Sequence, residues 1–237
     1  MIPAWQQSLG QVKREVIIRT FRDERIQVVL LGGSCVLSGV YLNHRQPNDI
    51  DLFFFTREDA LSACRTISDW LVDGQNYTDP DRPNTYRASG LYNDESVEVH
   101  CVKLHPRWSI AELANRYLSS PKELDCVSIP ILRYIGFELL RGLQNHDLQH
   151  SRAVNLFDLM RLFEAGITPN VIANEIRWMC SFQTPGIVIT DLISDLPNEV
   201  LVDGNRIDLS GFAREFRSEI LLAWNDTGLT ELLSCVE

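Results

Sequence analysis

The sequence lacks closely spaced cysteines, long apolar runs and an excess of positive charge. None of the six cysteines forms a Cys-x-x-Cys pair, and the closest two, Cys101 and Cys126, are 25 positions apart, which argues against a zinc site or a redox dithiol. No apolar run approaches the ~20 residues of a transmembrane helix. The N-terminus also lacks the basic and apolar regions of a signal peptide. These absences predict a reduced, soluble, cytoplasmic protein with no membrane partner.

The charge balance is acidic. The 237 residues include 22 Lys and Arg against 32 Asp and Glu, a net charge of −10. Such a chain does not coat nucleic acid through its overall charge, although a local basic groove stays open. With 45% hydrophobic and 23% charged residues, the composition is that of a folded globular protein rather than a disordered one.

Hydrophobic periodicity predicts an α+β fold. A mixed α/β half at residues 1–106 precedes a mainly helical half at 107–237. The segment 73–96 is rich in Asp, Asn, Gly and Pro and is predicted to be mostly loop, with at most a short strand at 86–88. The Asp203-Gly204 pair predicts the turn of a late hairpin. The other predicted elements are strands at 28–31, 50–55 and 97–102 and helices at 5–16, 36–41, 58–72, 109–118, 130–144, 152–165 and 169–181, with a last helix opening at Ser210.

A glycine turn follows the first predicted strand. The apolar run 28–31 ends at Gly32-Gly33-Ser34, where a helix is predicted to begin. Glycines at such a point let backbone N–H groups approach a phosphate, and the helix N-terminus adds partial positive charge. Alone, the motif is more often only a tight turn.

Two aspartates mark the second predicted strand. Asp49 and Asp51 are separated by one residue, so their carboxylates project from the same face. Two such carboxylates repel each other unless a cation lies between them, and a divalent metal completed by substrate phosphates is the simplest solution. A solvated strand end is the alternative.

The order strand, Gly-Gly-Ser, helix and Asp-x-Asp resembles the DNA polymerase β-like nucleotidyltransferase superfamily. The segments Leu31-Gly32-Gly33-Ser34, His44-Arg45 and Asp49-Ile50-Asp51-Leu52-Phe53 are most similar to its AbiEii and MenT toxin branch. The resemblance implies Mg²⁺ (or Mn²⁺) held by Asp49 and Asp51. It also implies an NTP held at Gly32, Gly33, Ser34 and Arg45.

A third acidic residue is expected from a later strand in this superfamily, as general base or metal ligand. Glu98 on the predicted strand 97–102 fits that role. His100 shares its face and is the other residue that aligns with the family pattern, although imidazole is a poor Mg²⁺ ligand. An exposed edge-strand pair without a function remains the alternative.

A second partial resemblance covers residues 151–159. The family carries a basic residue and two aspartates on a helix that faces the nucleotide, and Arg152 and Asp158 match while Asn155 replaces the first aspartate. The family lysine of the preceding helix is replaced by Glu138. The resemblance therefore implies Arg152 and Asp158 as nucleotide-binding residues and leaves an inert relative as an alternative.

The expected reaction is transfer of a nucleoside monophosphate from an NTP to an acceptor hydroxyl. The resemblance implies RNA, in particular tRNA, as acceptor and a toxin–antitoxin or phage-defence setting with a cognate antitoxin. A small-molecule nucleotidyltransferase would share every core residue. A nucleotide- or RNA-binding relative without catalysis is the third possibility.

Overall fold

The structure is a computed structural model that describes residues 2–80, 82–104, 115–180 and 188–226. The fold is α+β, as predicted from the sequence. The chain divides into two compact units, Met1–Ile131 (unit 1) and Leu132–Glu237 (unit 2). Each is described below by itself.

The boundary between the units lies 25 residues beyond the predicted one at residue 106. The reason is that the segment around residue 128 still packs on the first unit. The Leu31 N–H donates to the Ser128 carbonyl at 2.8 Å, and the Tyr41 hydroxyl donates to the Pro130 carbonyl at 3.2 Å. This segment therefore belongs to unit 1.

Unit 1 is built on a five-stranded mixed sheet with the strand order β1-β2-β5-β4-β3. Strands β2 and β5 pair in parallel, and the other neighbouring strands pair antiparallel. A short two-stranded ladder, β6-β7, follows the sheet in the chain. The elements of unit 1 are α1 Gln11–Arg22, β1 Leu30–Gly32, α2 Gly33–Val36, β2 Ile50–Phe54, α3 Arg57–Ser68, β3 Val72–Thr78, β4 Thr85–Tyr92, β5 Glu95–Lys103, β6 Leu118–Ser119 and β7 Ile129–Pro130, with 3₁₀ turns at Gln7–Leu9 and Lys122–Leu124.

One face of the sheet is the core of unit 1. Helix α3 packs there: its Cys64 thiol is hydrogen-bonded to Cys101 of β5, and both are buried. The start of α3 is fixed by Thr56, whose Oγ1 accepts from the Asp59 N–H at 3.0 Å, as an N-cap should. Alternate residues of β2 and β5 point to the opposite face, which carries the polar side chains described below.

The prediction for segment 73–96 is wrong in part. The segment contains nearly all of β3, the whole of β4 and the start of β5. Strand β3 escaped prediction because it is the edge of the sheet, exposed along its whole length, so its residues need not be apolar. Its polar composition is typical of a loop and equally compatible with an exposed edge strand.

The helix after β1 begins at Gly33, as the glycine turn indicated. Four α-helical residues continue directly into a π-helical turn, Leu37–Leu42, so the helical segment spans residues 33–42. It ends at Asn43, which adopts a left-handed conformation with φ of 53°. The segment is buried at Cys35, Val36 and Leu37, which anchors the turn against the sheet.

Unit 2 is mainly helical. The predicted hairpin is confirmed, with Asp203 and Gly204 at its turn between β8 and β9. The predicted helix 109–118 lies largely outside the described residues. No helix among those described is both long and apolar enough to span a bilayer. The elements of unit 2 are α4 Leu132–Gly142, α5 Gln149–Glu164, α6 Pro169–Cys180, α7 Ile189–Ile193, β8 Glu199–Val202, β9 Asn205–Asp208 and α8 Ser210–Asp226.

Candidate metal and nucleotide site

The site is organised by one row of residues that crosses all five strands of the unit 1 sheet. Each residue of the row is paired in register with the next, so their side chains project from the same face. The row runs from β1 to β3 as Gly32, Asp51, His100, Arg87 and Tyr77. Asp49 and Glu98 each lie two positions from a member of this row and therefore share its face.

The glycine turn fits tightly against Asp51. Gly33 adopts φ of +58°, and a Cβ at this position would lie 1.8 Å from Asp51 Oδ2. A Cβ at Gly32 would lie 2.4 Å from the Phe53 ring. A side chain at Gly32 or Gly33 would therefore displace the side chain of Phe53 or Asp51, and Gly33 also has a left-handed backbone that favours glycine. Gly33 itself is exposed, which leaves its backbone open to a ligand.

Asp49, Asp51 and His100 converge on one point. His100 Nδ1 lies 3.2 Å from Asp51 Oδ1 and 3.3 Å from Asp49 Oδ2, and one ligand atom from each residue lies within 4.8 Å of the others. Adjacent ligands of an ion with bonds of about 2.1 Å are about 3 Å apart, so these separations fit a small divalent cation. The two aspartates predicted from the sequence are therefore brought together, with His100 as third partner.

The pKa values of Asp49 and His100 in this cluster are both raised. Burial raises the pKa of Asp49, and the neighbouring Asp51 carboxylate raises it further. Burial alone would lower the pKa of His100, but hydrogen bonds to Asp51 and Glu98, with the charges of Asp51 and Asp49, raise it to about 9. A protonated His100 would offset part of the negative charge of the two carboxylates, and a cation that binds at Nδ1 would displace that proton.

Glu98 lies beside His100 rather than beside the two aspartates. Its Oε1 accepts from His100 Nε2 at 2.8 Å and from Arg87 Nη1 at 3.2 Å. Its other oxygen, Oε2, makes no hydrogen bond among the residues that the structure describes, and its side chain is 40% exposed. Glu98 is therefore placed to orient the imidazole, with part of its side chain open to solvent.

Arg87 is held in place by Asp79, a residue that sequence reasoning missed. Asp79 is 3% exposed, and its Oδ2 accepts from Arg87 Nη2 at 2.6 Å and from Nε at 3.2 Å. The Arg87 guanidinium also lies 6.0 Å from the centre of the Tyr77 ring. A chain of alternating charge thus leads from Asp79 through Arg87 and Glu98 to His100.

Three more residues lie in or after the glycine turn: Ser34, Cys35 and Arg45. The Cys35 thiol donates to the Asp49 carbonyl at 3.0 Å, which ties α2 to the start of β2. Ser34 is half-buried in the first turn of the helix, whose N-cap position is taken by Gly32. Arg45 is half-buried, and its charge acts against burial and Asp51, which raise the pKa of the Cys35 thiol.

Arg152 lies in the interior of unit 2. Its side chain is fully buried, and its guanidinium donates to the carbonyls of Leu143 at 2.6 Å, Ser194 at 2.9 Å and Asp195 at 3.3 Å. These carbonyls follow helices α4 and α7, so Arg152 joins the ends of two helices. This arrangement gives Arg152 a structural role and not the exposed position that binding a nucleotide requires.

The other predicted helix residues are also in unit 2. Asp158 is 2% exposed on the same helix as Arg152. Glu138, where the family has lysine, accepts from the Tyr134 hydroxyl and pairs with Arg141 at 2.7 Å. Asp158 therefore lacks the surface position expected of a nucleotide ligand, while Glu138 is half-buried and paired with Arg141.

No protein-family model, no curated protein and no solved structure matches this chain. The similarity to nucleotidyltransferases therefore depends on the residues of the glycine turn and the Asp-x-Asp strand themselves. The site itself is supported by the close packing of Gly33 on Asp51 and by the convergence of two carboxylates and an imidazole.

Proposed function

We propose that this protein is a metal-dependent nucleotidyltransferase whose active site lies on unit 1. The observation that carries the proposal is the meeting of Asp49, Asp51 and His100 directly beside the exposed turn at Gly33. A cation site next to open backbone N–H groups suits a ligand that brings both a metal and phosphate groups.

In the proposed reaction an acceptor hydroxyl oxygen bonds to the α-phosphorus of an NTP, and the bond from that phosphorus to the bridging oxygen of pyrophosphate breaks. Asp49 and Asp51 would hold the metal, Mg²⁺ or Mn²⁺, which when bound withdraws charge from the phosphate oxygens. Glu98 Oε2 would accept the hydroxyl proton, while its Oε1 stays bonded to His100 and Arg87.

The phosphates would be held by backbone N–H groups of Gly33 and Ser34. Gly33 is exposed and its φ of +58° directs the chain sharply from β1 into the helix. The partial positive charge of that helix start favours an anion. Arg45, whose charge already acts at Cys35, is the cation proposed to assist.

The acceptor and setting are proposed from the family resemblance. They are RNA, in particular tRNA, a cytoplasmic location and a cognate antitoxin. The test is incubation of the protein with each labelled NTP, a divalent metal and total RNA, followed by separation of the RNA. Label on RNA with wild type and none with Asp51→Asn supports the proposal.

A catalytically inert nucleotide-binding relative is the second candidate. The observation that favours it is that His100 stands opposite Asp51 where the family expects a carboxylate. Equilibrium binding of each NTP, measured with metal present, separates the candidates. Binding without transfer to RNA or to any small-molecule hydroxyl supports the inert relative, and no NTP binding contradicts both.

A further inference from the structure

We infer that His100 Nδ1 is a direct metal ligand, and that the site therefore selects Mn²⁺ or another imidazole-binding divalent ion over Mg²⁺. The inference rests on the proposed function, since it concerns the metal of the same site. It departs from the all-carboxylate set that the sequence led us to expect, because the position opposite Asp51 on β5 is occupied by an imidazole.

The geometry places the imidazole nitrogen, not Glu98, among the ligand atoms. Nδ1 lies 3.2 Å from Asp51 Oδ1 and 3.3 Å from Asp49 Oδ2. The nearer Glu98 oxygen is on the other side of the ring, at 2.8 Å from Nε2. Two carboxylates and one imidazole form the donor set, and Glu98 is outside it.

The surroundings of His100 are those of a metal-ligating histidine. Such residues donate their second ring N–H to a carboxylate, which fixes the ring orientation and the nitrogen that faces the metal. Glu98 fills this role for Nε2, and Arg87 holds Glu98 at 3.2 Å. Asp79, almost completely buried, holds Arg87 in turn. Glu98 on the same strand, Arg87 on the adjoining strand β4 and Asp79 just after β3 thus set the direction of Nδ1.

The donor set decides the class of ion. Mg²⁺ favours carboxylate, carbonyl and water oxygens, while imidazole favours transition metals, whose affinities rise from Mn²⁺ towards Cu²⁺. Replacing one of three carboxylates by imidazole lowers the negative charge of the site and adds a nitrogen donor. Both changes weaken the binding of Mg²⁺ relative to the binding of transition-metal ions. We expect wild type to bind Mn²⁺ at least about tenfold more tightly than Mg²⁺.

The direct test is electron spin echo modulation of Mn²⁺ bound to the full-length protein, which detects a coordinated imidazole nitrogen without any variant. Nitrogen modulation in wild type is the expected result. Bound Mn²⁺ without nitrogen modulation would overturn the inference and leave the proposed function intact. Failure of wild type to bind Mn²⁺ or Mg²⁺ at all would instead contradict the proposed function itself.

Variants test the selectivity by titration calorimetry. His100→Asp restores a carboxylate, so it should lose the nitrogen signal and reduce the ratio of Mn²⁺ to Mg²⁺ affinity at least about tenfold. Glu98→Ala should weaken Mn²⁺ binding about tenfold, because the ring loses its support. His150→Asp, an exposed histidine of unit 2, is the matched control and should change neither quantity. A ratio in His100→Asp equal to wild type would contradict the inference.

Discussion

Replacing Arg152 by alanine tests whether this residue supports the fold of unit 2 or binds a nucleotide. The side chain is fully buried, and its guanidinium donates to the carbonyls of Leu143, Ser194 and Asp195. Alanine removes all three donors and leaves carbonyl groups at the ends of two helices without their partners. The expected consequence is lower stability, with no direct effect on nucleotide affinity.

The magnitude follows from the two shortest contacts, at 2.6 Å to Leu143 and 2.9 Å to Ser194. A hydrogen bond to a charged group contributes about 1.5–3 kcal/mol, so the pair contributes about 3–6 kcal/mol. Water that enters the vacated space will satisfy part of the carbonyls. We therefore expect Arg152→Ala to lower the free energy of unfolding by about 3–4 kcal/mol. Arg152→Lys should recover less than half, since an ammonium group lacks the fork of donors.

Urea unfolding followed by hydrogen-exchange mass spectrometry measures this loss in peptides of α4 and α5. Arg161→Ala is the matched control, because that residue is on the same helix in an exposed pair with Glu164, and it should cost less than about 0.5 kcal/mol. Nucleotide affinity of folded Arg152→Ala should stay within about twofold of wild type. Equal stability of the Arg152 and Arg161 variants, combined with a loss of nucleotide binding, would refute the structural role.

Four further substitutions test the site and the fold. Gly204→Ala should lower the free energy of unfolding by about 1–2 kcal/mol, because Gly204 has a left-handed backbone conformation. Gly33→Ala should also weaken divalent-ion binding in calorimetry, because its Cβ would displace the Asp51 carboxylate. Asp51→Asn should lower metal affinity by roughly 100-fold in the same assay, since it removes a charged ligand. Thr56→Ala should cost about 1 kcal/mol in thermal unfolding, because the Asp59 N–H loses its cap.

The arrangement at Gly33, Asp49 and Asp51 could be predicted from the sequence because it is local. Strand alternation places both aspartates on one face, and a glycine pair after an apolar run indicates a close turn. The structure places Gly33 against Asp51 and both aspartates beside His100. Strand alternation does not show which residue of a distant strand completes the cluster.

The position of Arg87 opposite His100 could also have been found from the sequence. Asn93 and Asp94 have positive φ and form the two-residue turn between β4 and β5. Once that turn is recognised, counting back from it pairs Arg87 with His100. The polar composition of the segment hides this signal, because it is equally typical of a loop.

Other contacts could not be predicted from the sequence. The register of Asp51 with His100 belongs to a parallel pair, joined through a long connection that fixes no register by itself. The burial of Arg152 depends on two carbonyls more than forty residues away. Arginine on a helix is usually exposed, and the family resemblance implied an exposed, nucleotide-binding position for Arg152. Tertiary contacts of this kind determine where a side chain lies, even where the local sequence pattern predicts another position.

The negative charge of the proposed substrate determines which positively charged groups the site needs. An NTP brings about four negative charges to a site that already has Asp49, Asp51 and Glu98, so cations must face it. Arg87 is engaged by two carboxylates, and Arg152 is engaged by carbonyls inside unit 2. Lys13 and Arg45 act on Cys35, at the first turn of the helix that follows Gly33. We therefore expect the metal and the helix start, with Arg45 as the family resemblance implies, to balance the triphosphate.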